Sequence, residues 1–300
     1  MQYNQLGKST LEISTIGLGG MSLVPGKEKV NGNILAQIKD FGINYLDTSD
    51  LYDRGENEKG IGKLISGERQ DWILATKVGN KWKEDGSGWD WAPSKAYILK
   101  AVEDSLKRLK TNYIDLYQLH GGTLEDPYDE IVEAFEQLVK EGKIRYYGIS
   151  SIRPNVFLKY AEDSQIVSNM MQYSLLDRRP EEYLQQLKSK GVSVLARGSV
   201  AQGLLVDKPA MEYQEYSAGQ VDTVQQHLAD IAEKHGVSKL ALAIKYPLLH
   251  DAVAASVVGI RTEDQAADLG KAIQDLDKVS LDLYDPILKS LSAKKYTSHR

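Results

Sequence analysis

The sequence predicts an α/β fold, a (β/α)8 TIM barrel closed within one domain spanning residues 1–300. Three observations carry that expectation. Short apolar runs rich in β-branched residues alternate with helical patterns along the whole chain. Successive runs end at a spacing close to the roughly 30 residues that a strand, a turn and a crossover helix need. No Pro/Ser-rich linker or shift of composition divides the chain. An open doubly wound sheet is the competing arrangement for the same alternation.

Residues 2 to 13 read as a short hairpin capping one end. The eight candidate strands are Ile16-Gly-Leu-Gly, Ile43-Asn-Tyr-Leu, Trp72-Ile-Leu-Ala-Thr, Tyr113-Ile-Asp-Leu-Tyr-Gln-Leu, Ile144-Arg-Tyr-Tyr-Gly-Ile, Ile166 to Gln172, Val192-Ser-Val-Leu-Ala and Val253 to Val258. Helical patterns lie between them. Asn57 to Ser66 ends at Gly67, Pro93 opens a stretch through Leu109, Pro127 precedes one stopping at Gly142, and Pro180 leads one ending at Gly191. Proline near the start and glycine past the end is the asymmetry that helix termini favour. The long interval between the strand ends near 196 and 258 holds two helical segments, Val221 to His235 and Ser238 to Leu249, and reads as an insertion. Residues 281 to 294 read as a final helix packed outside the repeat, so the barrel carries extra C-terminal helices.

An apolar content of 42% and a charged content of 26% exclude a disordered or fibrous chain. The formal charge of -5 argues against a surface built to neutralise nucleic-acid phosphates or to lie on anionic lipid. Cysteine is absent, which removes disulfides, thiolate metal sites and cysteine nucleophiles and suits a reducing cytosol. No run approaches the roughly 18 apolar residues of a membrane span, and the first 20 residues lack a targeting pattern. The expectation is an untargeted cytoplasmic protein, a monomer, without nucleic-acid or membrane partners.

In such a barrel the βα loops converge at the C-terminal ends of the strands, which turns sequence position into a filter for chemistry. The residues at those ends are Asp47, Lys77, His120, Ser150, Ser151, Gln172 and Arg197. Taken singly, an aspartate before Thr48-Ser49 is a turn residue, a lysine a solvated charge and a histidine a structural group. Arriving together on neighbouring strands about 5 Å apart, they can converge, and Tyr52, five residues past Asp47, can fold over the same mouth. A phenol is a poor proton donor at neutral pH, but a neighbouring ammonium favours its phenolate. Asp47 would hold Lys77 charged, and His120 would orient a substrate oxygen toward the tyrosine. Such a set moves a proton at oxygen while another group supplies or takes electrons at carbon. A metal is not expected, since His120, His227, His235, His250 and His299 are scattered. Gly17-Leu-Gly-Gly20 lacks the third glycine and the later acidic residue of a dinucleotide fingerprint, and reads instead as backbone that comes close to a ligand.

These residues resemble the aldo-keto reductases over nearly the whole chain. The likeness rests on the opening Gly7-Lys-Ser-Thr-Leu-Glu-Ile-Ser-Thr-Ile-Gly-Leu-Gly-Gly-Met21, on Asp47-Thr-Ser-Asp-Leu-Tyr52 followed by Gly55-Glu-Asn-Glu, on Lys77 and on Leu116-Tyr-Gln-Leu-His120. Leu138-Val-Lys-Glu-Gly-Lys-Ile-Arg-Tyr-Tyr-Gly-Ile-Ser150 is equally typical. The resemblance implies a barrel that binds NADPH/NADP+ without a Rossmann domain and reduces aldehydes or ketones to alcohols, a broad, detoxifying type of reductase. It makes Tyr52 the general acid, lets Lys77 and Asp47 tune its acidity, and has His120 orient the carbonyl of a small-molecule substrate.

For the cofactor, the resemblance places Gly20 and Met21 by the nicotinamide end, counts Asp47 among the cofactor-binding residues, and has Ser150 and Gln172 bond the carboxamide. The usual Ser-Asn pair is here Ser150-Ser151. Where the family commonly has a stacking aromatic and then Ser-Pro, this chain has Arg197-Gly-Ser199, followed by Ala201-Gln-Gly203-Leu204-Leu205, which wraps the pyrophosphate. The Arg197 charge should favour the neutral, reduced nicotinamide ring of NADPH over the cationic, oxidised ring of NADP+, an expectation tested by comparing the ratio of the two dissociation constants in Arg197→Trp. Ser256-Val-Val-Gly259-Ile-Arg261-Thr-Glu-Asp-Gln265 matches the adenosine segment, with Val258 for the common proline and Leu269 for the common asparagine. Arg261 is the expected partner of the 2′-phosphate, helped by the helix start at Thr262.

The loop after Lys77 carries Trp82, Trp89 and Trp91, which suggests a pocket wall for an apolar or aromatic aldehyde. Two other classes stay open. The regulatory β subunits of potassium channels are similar to aldo-keto reductases, so a redox-sensing NADPH-binding protein fits the same residues. A Schiff-base lyase would need a desolvated, near-neutral Lys77, which Asp47 opposes.

Overall fold

Alternating strand and helix close on themselves, as the spacing predicts. The computed structural model describes residues Met1–Arg300. The chain begins with an antiparallel pair, β1 (Tyr3–Gln5) and β2 (Glu12–Ser14), then enters the barrel at β3 (Ile16–Gly19). Next come α1 (Glu28–Asp40), β4 (Tyr45–Asp47), α2 (Glu56–Ile65) and β5 (Ile73–Val78). A second antiparallel pair, β6 (Asn80–Trp82) and β7 (Trp89–Trp91), precedes α3 (Lys95–Leu109). The repeat continues through β8 (Ile114–Leu119), α4 (Tyr128–Lys140), β9 (Ile144–Ile149), α5 (Pro154–Asp163), β10 (Ser168–Gln172), α6 (Glu181–Ser189) and β11 (Ser193–Arg197). Two helices, α7 (Ala218–His235) and α8 (Lys239–Leu248), fill the long interval before β12 (Val253–Val258), and α9 (Glu263–Asp275) and α10 (Asp285–Ser290) follow.

The barrel order is β3, β4, β5, β8, β9, β10, β11, β12, all parallel, with β12 returning to β3 through Ser256↔Ile16, Val257↔Gly17 and Val258↔Leu18. Helices cover the outside, so strands such as β8 and β12 are buried along their full length. The main core packs strands against helices. A separate apolar cluster, with Leu6, Leu11 and Ile13 meeting Tyr45, Leu116 and Met170, plugs the barrel beneath the N-terminal hairpin. The plug leaves the opposite, C-terminal end as the place for a site.

Three local findings depart from the expectations. The final helix of 281 to 294 is much shorter: a 3-10 turn at Leu281–Tyr284 leads into α10, which stops at Ser290. Beyond it Leu291 turns extended and Tyr296 packs back against Tyr183 on α6, so side-chain burial rather than helix holds this tail. Helix α1 carried no clear signal, because Gly32 lies between Asn31 and Asn33, all weak helix formers, and Lys27 gives no side-chain cap. The tryptophan loop is a hairpin with Trp82 opposite Trp89. No helix is long and apolar enough to cross a membrane.

Candidate active site

Successive strand residues point to opposite faces. That alternation sends Tyr45 and Asp47, Ala75 and Lys77, and Leu116 and Gln118 into the barrel, while Thr76 and Asp115 face the helices, where they bond Glu58 and Arg69. Register sets Lys77 beside Gln118. Lys77, 1% exposed, donates to Asp47 Oδ2 at 2.5 Å and to the Thr48 carbonyl at 2.8 Å, and its third direction meets the Tyr52 hydroxyl at 3.5 Å. Gln118 Nε2 donates to Asp47 Oδ1 at 3.0 Å, so both carboxylate oxygens are held. Burial works against the Lys77 ammonium, but the charge of Asp47 outweighs it together with Tyr52 and leaves the pKa raised. Lys77 is therefore a fixed cation beside the phenol.

Tyr52 sits where the chain bends sharply. Asp53 and Arg54 follow it with φ of 49° and 57°, in the left-handed region that non-glycine residues rarely occupy. Arg54 donates to the Gly86 carbonyl at 3.0 Å and lies over the Trp82 ring, and Trp82 Nε1 donates to the Leu51 carbonyl at 3.1 Å. The β6–β7 hairpin thus clasps the tyrosine loop. His120 stands edge-on to Tyr52, ring centroids 6.1 Å apart. Its burial, then the charges of Lys77 and Arg197, push its pKa down to about 3. A neutral imidazole has one N–H and one bare nitrogen; Nδ1 lies 3.1 Å from Ser49 Oγ. The structure thus brings Asp47, Tyr52, Lys77 and His120 together.

The residues expected around a cofactor sit at or beyond the C-terminal ends of the barrel strands. Gly20 lies under the Asp47 carbonyl, and a Cβ there would approach that oxygen to 2.7 Å and Ile61 Cδ1 to 2.8 Å, so only glycine fits. Asn57 holds this turn by donating to the carbonyls of Gly20 and Leu23. Met21 is 61% exposed. Ser22 Oγ donates to the Gly19 carbonyl and accepts the Ile260 N–H, tying the turn to the backbone just after Gly259. Ser150 ends β9, while Ser151 is turned into the fold, where its backbone exchanges two bonds with the Asn169 amide. Gln172 Nε2 donates to the Tyr213 hydroxyl at 2.9 Å. Arg197 is exposed at the end of β11, with Ser199 Oγ nearby in sequence, buried and without a partner.

The next turn is strained: Ala201 and Gln202 have φ of 46° and 59°, ahead of Gly203 at 96°. Leu204 is buried, and its carbonyl accepts from Gln225 Nε2 at 2.6 Å. Arg261 lies just ahead of α9, its N–H bonded to Gln265 Oε1 at 2.9 Å, while Thr262 caps the helix. A shallow groove beside it is lined by Lys27, Lys29 and Arg261 together with Glu28, Glu263 and Asp264.

The three tryptophans separate. Trp82 packs by the tyrosine loop. Trp91 donates to Asp126 Oδ1 at 2.7 Å and lies on Gly79 and Gly121, next to His120. Trp89 is 50% exposed. Sequence reasoning did not single out Gln118, Asn57, Ser22 or Tyr213, whose polar contacts appear only once strands and loops are in place. Ser49 and Asp50 lie inside the Asp47–Tyr52 segment, where the sequence alone assigns them no role.

A parallel barrel whose C-terminal end gathers a lysine–aspartate pair, a phenol and a neutral imidazole is built to move a proton at oxygen. The chain belongs to the aldo/keto reductase family, whose model matches residues 15–287. An uncharacterized oxidoreductase, YqkF of Bacillus subtilis (strain 168), is 50% identical over 274 residues, covering 88% of this chain and 89% of that protein. The holo form of aldo-keto reductase AKR11C1 from Bacillus halodurans superposes with a TM-score of 0.92 at 47% identity, covering 100% of this chain and 99% of that one. Its apo form gives 0.83 at 44% identity, with the same coverage. L-galactose dehydrogenase of Arabidopsis thaliana is 28% identical over 94% of this chain and 91% of that protein.

Proposed function

We propose that the protein is an NADPH-dependent reductase of aldehydes and ketones. The observation that carries this is the Lys77 ammonium, locked to Asp47 at 2.5 Å and facing the Tyr52 hydroxyl at 3.5 Å, beside a histidine that burial keeps neutral. Tyr52 gives its proton to the carbonyl oxygen, and the fixed ammonium stabilises the phenolate left behind. A neutral His120 donates a hydrogen bond to that oxygen and aims it at Tyr52. Asp47, gripped by Gln118, keeps Lys77 in place.

The residues present fit a nicotinamide nucleotide. The unpartnered Ser199 hydroxyl and the strained Ala201–Gly203 turn offer polar atoms beyond β11, and Arg261 with Lys27 and Lys29 would meet a terminal phosphate in a groove that Glu28, Glu263 and Asp264 also line. Gln172 and Ser150 would hold the carboxamide. When bound, the reduced nucleotide supplies the hydride that the carbonyl carbon receives. The Arg197 charge favours the neutral, reduced nicotinamide ring over the cationic, oxidised one. Trp82 and Trp91 flank the tyrosine and histidine and suit an apolar aldehyde.

Steady-state oxidation of NADPH and NADH across aliphatic, aromatic and dicarbonyl aldehydes tests the reading. NADPH turnover well above background is expected. Arg261→Ala should raise the KM for NADPH about tenfold, as expected for the loss of a charge-assisted contact, with little change for NADH. Background rates across the panel would leave a redox-sensing binding protein as the better account.

A further inference from the structure

The mechanism leaves one buried acid without a task. Asp50 lies three residues past Asp47, is 8% exposed, and pairs with no cation of its own. Its surroundings come from several elements. Glu58 on α2 faces it with like charge, but Glu58 is itself engaged by Arg108 at 2.6 Å and by Thr76 at 2.6 Å. Arg108 and Tyr97 on α3 and Tyr117 on β8 complete the shell. Burial, then the Glu58 charge, pushes the Asp50 carboxyl up to about 8, against a partial opposing pull from Arg108.

Between Asp50 and His120 stands a single hydroxyl. Ser49 Oγ is 3.3 Å from Asp50 Oδ1 and 3.1 Å from His120 Nδ1, and it accepts the Leu51 N–H at 3.1 Å. A serine hydroxyl has one proton to give and two lone pairs to fill. With one lone pair taken by Leu51, the proton goes to one neighbour and the remaining lone pair accepts from the other. The three groups therefore have two self-consistent arrangements.

We propose that Asp50 and Ser49 are positioning residues that set which ring nitrogen of His120 carries the proton. This rests on the carbonyl-reductase reading only for its consequence, since the tautomer belongs to the protein itself. When Asp50 is protonated, its O–H donates to Ser49, Ser49 donates to Nδ1, and Nε2–H is left to donate to a carbonyl oxygen. When Asp50 is ionised, Ser49 turns to donate to the carboxylate, Nδ1–H donates to Ser49, and Nε2 is bare, able to accept from an alcohol. One proton leaves the chain between the two states, to solvent, and the imidazole is neutral in both. The acid thus biases the site toward reduction at lower pH and toward alcohol oxidation at higher pH.

Histidine-selective 15N NMR of the full chain from pH 6 to 9.5, with His120 assigned by its loss in His120→Gln, reads the tautomer without needing turnover. The expected result is the Nε2–H form at the acid end and the Nδ1–H form at the alkaline end. In Asp50→Asn the side-chain amide donates to Ser49 at every pH, so the Nε2–H form should persist throughout; Ser49→Ala should abolish the pH dependence. In parallel, wild-type kcat for reduction should fall about tenfold across the transition, the worth of roughly one hydrogen bond, while Asp50→Asn stays flat. A single His120 tautomer across the range in the wild type, or a wild-type transition surviving in Asp50→Asn, overturns the proposal. A tautomer change without carbonyl turnover upholds the three-group chain and removes the reductase reading; turnover with a fixed tautomer does the reverse.

Discussion

Two ion pairs are buried in this barrel, and they are built differently. Arg69, just before β5, donates to Asp115 at 2.6 Å, to the carbonyls of Trp72 and Tyr113 and to Thr111 Oγ1, and its guanidinium plane covers the Tyr113 ring at 4.3 Å. Asp115 in turn accepts the Leu74 N–H and touches Arg145. Each strong bond is made. Lys77 and Asp47, at the other end and inside the barrel, are as deeply buried, yet the lysine's third contact is the long one to Tyr52, and the Gln118 Oε1 that faces the interior has no partner. The pair that is satisfied on every side secures strands, whereas the pair with a direction left open can act on something that arrives.

That contrast can be broken. Lys77→Met should lower turnover about a thousandfold, the scale of losing proton-transfer assistance, with a modest shift in Tm, because burial already raises the Asp47 carboxyl pKa and lets it take up a proton once the lysine is gone. Arg69→Met should do the opposite, costing about 3 kcal/mol of stability by stranding Asp115, with turnover per folded molecule unchanged. Turnover assays paired with denaturant melts check both, and equal losses in both properties for either variant would erase the distinction. A smaller effect sharpens it. His120 has a folded pKa of about 3, below the unfolded value near 6.5, so the unfolded chain binds a proton that the folded one refuses. Stability should therefore fall as pH drops from 6.5 toward 3, at up to about 1.4 kcal/mol per pH unit, and melts of His120→Gln should show that slope reduced.

Much of this was legible in the sequence, for identifiable reasons. Most barrel strands are short, largely apolar runs, so the strand ends could be read to within two residues, and the barrel rule then sorted Asp47, Lys77 and His120 from the other charged positions. What escaped was information held between elements. Gln118 reads as one polar residue in an apolar strand until register sets it beside Lys77. Ser49 and Asp50 are turn-forming residues until a helix and a strand bury them. Asn57 looks like a helix opener, yet it clamps the Gly20 turn across 37 residues of sequence. Helix α1 hid because Asn31 and Gly32 weaken its pattern, although Asn31 donates to the Val24 carbonyl and is itself buried.

The seam between β12 and β3 has a consequence for how the chain is made. On its β12 side, β3 meets Ser256, Val257 and Val258 through Ile16, Gly17 and Leu18, so the first barrel strand emerges from the ribosome about 240 residues ahead of the one that completes it. At ordinary rates of synthesis that interval is on the order of ten seconds or more. Throughout it, the side of Ile16–Gly19 opposite β4 is an unpaired edge on a growing chain, with its hydrogen-bonding groups open to other strands. The nascent chain is then most exposed to misassembly along β3, and the risk ends when Val258 docks.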